Sequence, residues 1–175
     1  ANALAQSMVT GSDAFIHPFD DALLWQGHAS MIDEVAAAGV KPDAVVLSVG
    51  GGGLMCGVIE GLRRNGWSDV PVVAVETAGA DSLAQSLTAN ERIELPGISS
   101  IATSLGARKV AEQAFALAQT HPVRSVVVSD ADAVRARGPH HRHPLPQPPR
   151  VRRRAGSRDE ARRQRTPAQH RLLRS

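Results

Sequence analysis

The sequence predicts an α/β fold with a doubly wound parallel sheet, and two observations carry that prediction. Between Ala14 and Asp130, short apolar runs alternate with segments of helical periodicity. Strands separated by helices imply β-α-β units, whose strands run parallel. Four consecutive glycines, Gly50-Gly51-Gly52-Gly53, stand two residues, Ser48 and Val49, beyond the apolar run Ala44-Val45-Val46-Leu47. In a parallel sheet that position, at the carboxyl end of a strand, is where ligands bind.

The elements follow in order. Ala14-Phe15-Ile16 predicts a short strand, ended by His17-Pro18. Asp20 and Asp21 can cap a helix that places Leu24, Trp25, His28, Met31, Ile32 and Val35 on one face and ends at Gly39. Asp43 to Val49 reads as a strand apolar on both faces, as a central parallel strand is. Gly53 to Arg64 reads as a helix whose Gly53, Gly57 and Gly61 form a small face suited to close packing on the sheet. Val70 to Val75 reads as a strand with Pro71 near its start, and residues 79–88 as a helix. Lys109 opens a helix running to Gln119, and Val123 to Val128 is a further strand. No internal repeat is detectable.

Length and composition narrow the class. A chain of 175 residues suits one domain. The single cysteine, Cys56, rules out an intramolecular disulfide, and with no basic partner it reads as a small apolar filler. No apolar run reaches the roughly 18–20 residues that span a bilayer. The chain opens at Ala1 with no basic region ahead of an apolar one, so the expectation is a soluble cytoplasmic protein.

The net charge of +3 conceals two unlike parts. Residues 1–134 carry 7 Lys+Arg against 15 Asp+Glu, whereas residues 135–175 carry 13 Arg against Asp159 and Glu160. Six of those 41 tail residues are proline and only eight are apolar, too few to offset the entropy of ordering. The tail is therefore expected to be disordered. Its Arg/Pro/His composition is that of GC-rich coding DNA read out of frame, which points to a frameshift near residues 135–138. The alternative is an authentic basic arm that binds nucleic acid or an acidic surface.

A glycine run between a buried strand and a helix aims several backbone N–H groups at one point, backed by the positive end of the helix dipole. That arrangement suits a phosphate. A nucleotide P-loop is excluded, because Gly57 is followed by Val58 where that loop needs lysine. The dinucleotide pattern GxGxxG also fails, since its third glycine would fall on Met55 or Cys56.

SVGGGGLMCGVIEGL, from Ser48 to Leu62, resembles the phosphate loop of the serine/threonine dehydratases among the fold-type II pyridoxal 5′-phosphate (PLP) enzymes. Ile16-His17-Pro18-Phe19-Asp20-Asp21 and Trp25-Gln26-Gly27-His28-Ala29-Ser30 are similar to the segment preceding that loop. Val73-Ala74-Val75-Glu76-Thr77 and Thr103-Ser104-Leu105-Gly106 fall where the family has its equivalents, and the likeness runs from about residue 3 to residue 134.

The resemblance implies that the amides of Gly50, Gly51, Gly52, Gly53 and Leu54 hold the phosphate of PLP, with Ser104 against one face of its ring. It also implies a monovalent-cation site, potassium in character, made by the Glu76 carboxylate and the carbonyls of Gly50, Ala80, Leu105 and Ala107. By the same analogy Pro18 and Phe19 approach the substrate side. The reaction implied is β-elimination of L-serine or L-threonine to a 2-oxo acid and ammonia, with PLP as the electron sink. Full-length members of the family tend to be homodimers.

Parts of the family pattern are not matched. The two lysines, Lys41 and Lys109, stand outside the S-x-K-x-R context of the Schiff-base lysine, and the S-x-G-N-x-[AG] substrate loop is not matched either. Residues 1–134 thus read as the middle portion of a PLP-binding α/β domain, expected to be inactive alone. A catalytically silent protein that binds PLP or phosphate is the alternative.

Overall fold

Helix α1 spans Asn2–Ser7 and helix α2 spans Ala22–Ala37. The Asp21 carboxylate starts α2 by accepting the Leu23 amide at 2.8 Å, which satisfies one of the orphan donors of a first turn. Just past the end of α2 the chain reverses at Gly39, whose φ is +74°. The computed structural model describes residues 2–136.

Strands β1 (Val45–Ser48), β2 (Val72–Thr77) and β3 (Val123–Val128) form a parallel sheet in the order β1-β2-β3. Val45 pairs with Val72, and Val72 with Val123. Pro71 and Pro122 stand immediately ahead of β2 and β3. There their missing N–H groups cost nothing, and their carbonyls accept the Val45 and Val72 amides at 2.9 Å each. Helix α3 (Gly53–Arg64) links β1 to β2. Helices α4 (Ser82–Ala89) and α5 (Glu112–Thr120) link β2 to β3, and α6 covers Asp130–Ala136. The core joins Leu47 of β1 and Val72 and Ala74 of β2 to Met55, Ile59 and Leu62 of α3 and Ala114 and Leu117 of α5.

Several sequence expectations need correction. Ala14-Phe15-Ile16 forms no strand: it pairs with no other strand among the described residues, and Ile16 is exposed. β1 is an edge rather than a central strand there, and its Val46 is 68% exposed. Lys109 lies in the loop before α5, which begins only at Glu112. Of the tail of residues 135–175, Arg135 and Ala136 end α6, and residues 137–175, which carry its frameshift and nucleic-acid readings, fall outside the described residues.

The small face of α3 also packs differently from expectation. A Cβ on Gly57 would stand 2.4 Å from the His28 Cβ and 2.6 Å from the Trp25 carbonyl oxygen. On Gly61 it would meet the Ala29 carbonyl and the Ile32 Cβ, each at 2.8 Å. The glycines therefore let α3 press against α2, backbone to backbone, while the opposite side of α3 fills the core with Met55, Ile59 and Leu62. This contact also reorders the face of α2. Ala29 is fully buried because the groove admits a small residue, and Met31, expected on that face, is 44% exposed.

Glycine-to-alanine changes on these two helices separate propensity from packing. Alanine favours a helix interior over glycine by roughly 0.8–1.0 kcal/mol. Gly27 of α2 has nothing within 4 Å of an added Cβ, so Gly27→Ala should raise stability by up to about that amount. Gly57→Ala must instead push against backbone and should destabilise by about 1–3 kcal/mol net. Urea unfolding of both variants checks the opposite signs.

Candidate functional site

β1 hands the chain to α3 through the glycines. The Val49 amide makes the last sheet bond, to the Val75 carbonyl at 2.9 Å. The turn is completed at Gly52, whose φ of +91° is a left-handed conformation that a side chain would strain. Two carbonyls anchor it: Gly51 accepts the Ala111 amide at 2.8 Å and Gly52 accepts the Cys56 amide at 2.9 Å. Among the described residues, the amides of Gly50, Gly51, Gly52, Gly53 and Leu54 donate to no protein acceptor. Unpaired donors at the start of a twelve-residue helix form a positive pole.

Each glycine has its own close neighbour. A Cβ at Gly50 would lie 1.9 Å from the Leu105 carbonyl oxygen, one at Gly51 2.2 Å from the Phe19 ring, and one at Gly52 2.4 Å from the Ala114 Cβ. At Gly53 it would meet the Phe19 carbonyl at 2.6 Å. Protein packing alone accounts for the absence of side chains. The loop's other side opens on a cleft of about 450 Å³, bordered also by Pro18, Ser48, Ser104, Leu105 and Ala107. An open cleft walled by unpaired amides fits an anionic group such as the phosphate of PLP.

Residues 104–107 form the other wall of the cleft, and a polar relay running from buried Thr77 and Ser100 to half-buried Asp130 holds their segment. The Thr77 and Ser100 hydroxyls lie 2.7 Å apart, and Ser100 Oγ donates to Asp130 Oδ1 at 2.7 Å. Asp130 Oδ2 accepts the Ile101 amide at 3.0 Å, and Ser100 Oγ accepts the Ala102 amide at 3.0 Å. The hydrogen bond from Ser100, followed by that from Ile101, holds the Asp130 carboxyl below the usual range. Sequence reading attached no role to Thr77, Ser100 or Asp130, because they come from the end of β2, the loop before α5 and the start of α6. Ser104 itself is exposed on the cleft rim.

The residues expected to hold a cation are distributed as follows. Gly50 and Leu105 are in contact, and Leu105 and Ala107 share one cleft wall. Ala80 is buried in the turn after β2, its amide donating to the Thr77 carbonyl at 2.9 Å. Glu76 is 1% exposed, and its two carboxylate oxygens accept the Leu83 and Ala84 amides at 2.9 and 2.8 Å. Thus Glu76 caps α4 from within the core. Burial pushes its carboxyl up to about 7, against the two amides, which favour the ionised form.

Other candidates are placed away from chemistry. Cys56 is buried, and burial, followed by the nearby Asp20 charge, pushes its thiol up to about 12, so it stays protonated at neutral pH. Lys41 pairs with Asp69 at 2.7 Å ahead of β1 and β2, at the opposite end of the sheet from the glycines. Lys109 is exposed on an adjoining cleft of about 720 Å³ that also holds His17, Arg92 and Glu94. His28 packs beneath Gly57, and Trp25 Nε1 donates to the Phe19 carbonyl at 2.9 Å, so both are structural.

Glu76 imposes a pH dependence. Its folded pKa lies above the 4.5 of the free side chain, so the folded chain holds the extra proton between the two values. Stability contributed this way is complete below pH 4.5 and is lost as pH rises towards 7. The loss should reach about 3 kcal/mol in potassium-free buffer. Glu76→Gln should flatten that part of a denaturant-midpoint profile, and an unchanged slope would assign it elsewhere.

Over 123 residues the chain is 51% identical to L-serine dehydratase/L-threonine deaminase of Homo sapiens, covering 70% of this chain and 38% of that protein. L-serine dehydratase of Dictyostelium discoideum is 40% identical, with coverage of 71% and 38%. The chain therefore spans about two fifths of the length of these relatives. Among solved structures, a fungal L-serine ammonia-lyase from Rhizomucor miehei superposes with a TM-score of 0.69 at 39% identity, covering 77% of this chain and 44% of that one. Maize serine racemase superposes at 0.62 and 28% identity, covering 69% and 37%. The family described as pyridoxal-phosphate dependent enzyme matches residues 1–138. By that match, over most of its length, the chain belongs to the pyridoxal-phosphate dependent enzymes.

Proposed function

We infer that this chain provides the phosphate-holding part of the cofactor site in a PLP-dependent ammonia-lyase acting on L-serine or L-threonine. The observation that carries the reading is the row of unpaired amides from Gly50 to Leu54 on an open cleft. It stands in a chain that over 123 residues is 51% identical to a protein named L-serine dehydratase/L-threonine deaminase. Bound PLP supplies an electron sink for loss of the α-proton and departure of the β-hydroxyl.

In this reading the residues of the chain bind and orient. The amides of Gly50–Leu54 neutralise the phosphate, and charge-assisted bonds from fixed backbone donors give it one position. Ser104 borders one face of the ring, and the relay from Thr77 through Ser100 to Asp130 keeps its segment in place. Neither lysine stands at the cleft that the glycines wall. The chain by itself therefore binds PLP without forming a covalent bond to it. On the same reading the full-length enzyme is cytoplasmic and, as the family resemblance implies, a homodimer.

The cation site belongs to the same reading. Glu76 and the carbonyls of Gly50, Ala80, Leu105 and Ala107 make a hard oxygen set suited to potassium. A bound cation would favour the ionised carboxylate and hold it against the cost of burial.

Three measurements test these statements. PLP fluorescence titration should show saturable binding that inorganic phosphate displaces, and pyridoxal, which lacks the phosphate, should bind at least about tenfold more weakly. Equal affinity for PLP and pyridoxal would remove the phosphate loop from the reading. L-serine added to the PLP-loaded chain should yield no pyruvate. Potassium chloride should flatten the Glu76 pH profile, whereas tetramethylammonium chloride at equal ionic strength should leave it steep; matching profiles would remove the cation site.

A further inference from the structure

Four successive glycines form the most flexible backbone a chain can offer, and ordering each residue costs roughly 1–2 kcal/mol. Amides that receive an anion tightly must be aimed before it arrives. Two backbone bonds, from Ala111 to Gly51 and from Cys56 to Gly52, restrain the carbonyls of the loop. A third restraint comes from the segment ahead of α2.

Phe19 covers the loop. A Cβ added to Gly51 would lie 2.2 to 2.4 Å from three atoms of its ring, so the ring rests directly on the Gly51 backbone. The backbone of Phe19 covers Gly53 in the same way, its carbonyl oxygen 2.6 Å and its Cα 2.9 Å from the Cβ position there. Phe19 is itself held in place. Trp25 Nε1 donates to the Phe19 carbonyl at 2.9 Å. His17 Nδ1 accepts the Asp20 amide at 2.9 Å, and the His17 ring meets the Phe19 ring edge-on with centroids 4.6 Å apart. Phe19 also borders both the glycine cleft and the adjoining charged cleft.

We propose that Phe19 is the positioning residue of the glycine loop, holding the amides of Gly50–Leu54 in their anion-receiving orientation by resting on Gly51 and Gly53. The anion is the PLP phosphate, so this part rests on the function proposed above. Gly51 must then be glycine because of Phe19 and not because of the cofactor. The two positions are coupled. Removing the ring should make room for a side chain at Gly51 while releasing the loop.

The test uses the full chain and the variants Phe19→Ala, Phe19→Leu, Gly51→Ala and Phe19→Ala/Gly51→Ala. Readouts are thermal midpoint, amide NMR of residues 50–54 without ligand, and PLP affinity by fluorescence. Phe19→Ala should keep the fold, broaden or shift the loop amides, and weaken PLP binding about tenfold. Phe19→Leu should fall between it and the wild type, and it decides the matter if the alanine variant fails to fold. Gly51→Ala should lower the midpoint far more in the wild type than beside Phe19→Ala. Unchanged loop amides and affinity in both Phe19 variants, or additive effects of the two positions, would overturn the proposal. A wild type that binds no PLP would overturn the cofactor reading alone, since the ligand-free amide spectra still decide what Phe19 does.

Discussion

The structure turns on a backbone packed too closely for side chains. At Gly50–Gly53 three parts of the chain meet: Phe19 from the segment ahead of α2, Leu105 from the loop between α4 and α5, and Ala114 from α5. Each approaches from its own direction, and each needs a glycine opposite. Together they consolidate the turn between β1 and α3, and they leave one side of it bare. That bare side carries the unpaired amides. The site thus follows from packing: the same contacts that order the loop determine which way its donors point.

The carboxyl end of β2 organises the rest. Residues 76 and 77 are adjacent, so their side chains leave opposite faces of the strand. Glu76 enters the core and caps α4, while Thr77 joins Ser100 and Asp130 in the relay that holds segment 101–107. One strand end therefore positions both the helix beyond the site and the wall across from the glycines. A carboxyl buried at 1% exposure and raised to about 7 stands there because two helix amides repay part of its desolvation.

Much of this was legible from local pattern. The alternation of apolar runs and helices foretold the parallel sheet, the bounds of α3 and β3, and the Asp21 cap, since these depend on short-range periodicity and capping. The glycine loop stood out because so costly a run needs a reason. Less legible were features set by partners distant in sequence. Ala14–Ile16 has strand composition but no strand beside it. Gly57 and Gly61 announced a close approach without saying to what. The Thr77–Ser100–Asp130 relay uses three common residues that no spacing connects.

By itself, then, the sequence determined the α/β class, the phosphate-suited loop and its family, because each is written in neighbouring residues. The tertiary structure decided what lies against every glycine, that the small face of α3 serves α2 and not the sheet, and that Glu76 is a buried cap. Those are contacts between segments far apart in the chain. Local propensity carries no information about them, because their energies arise only when folding brings the surfaces together.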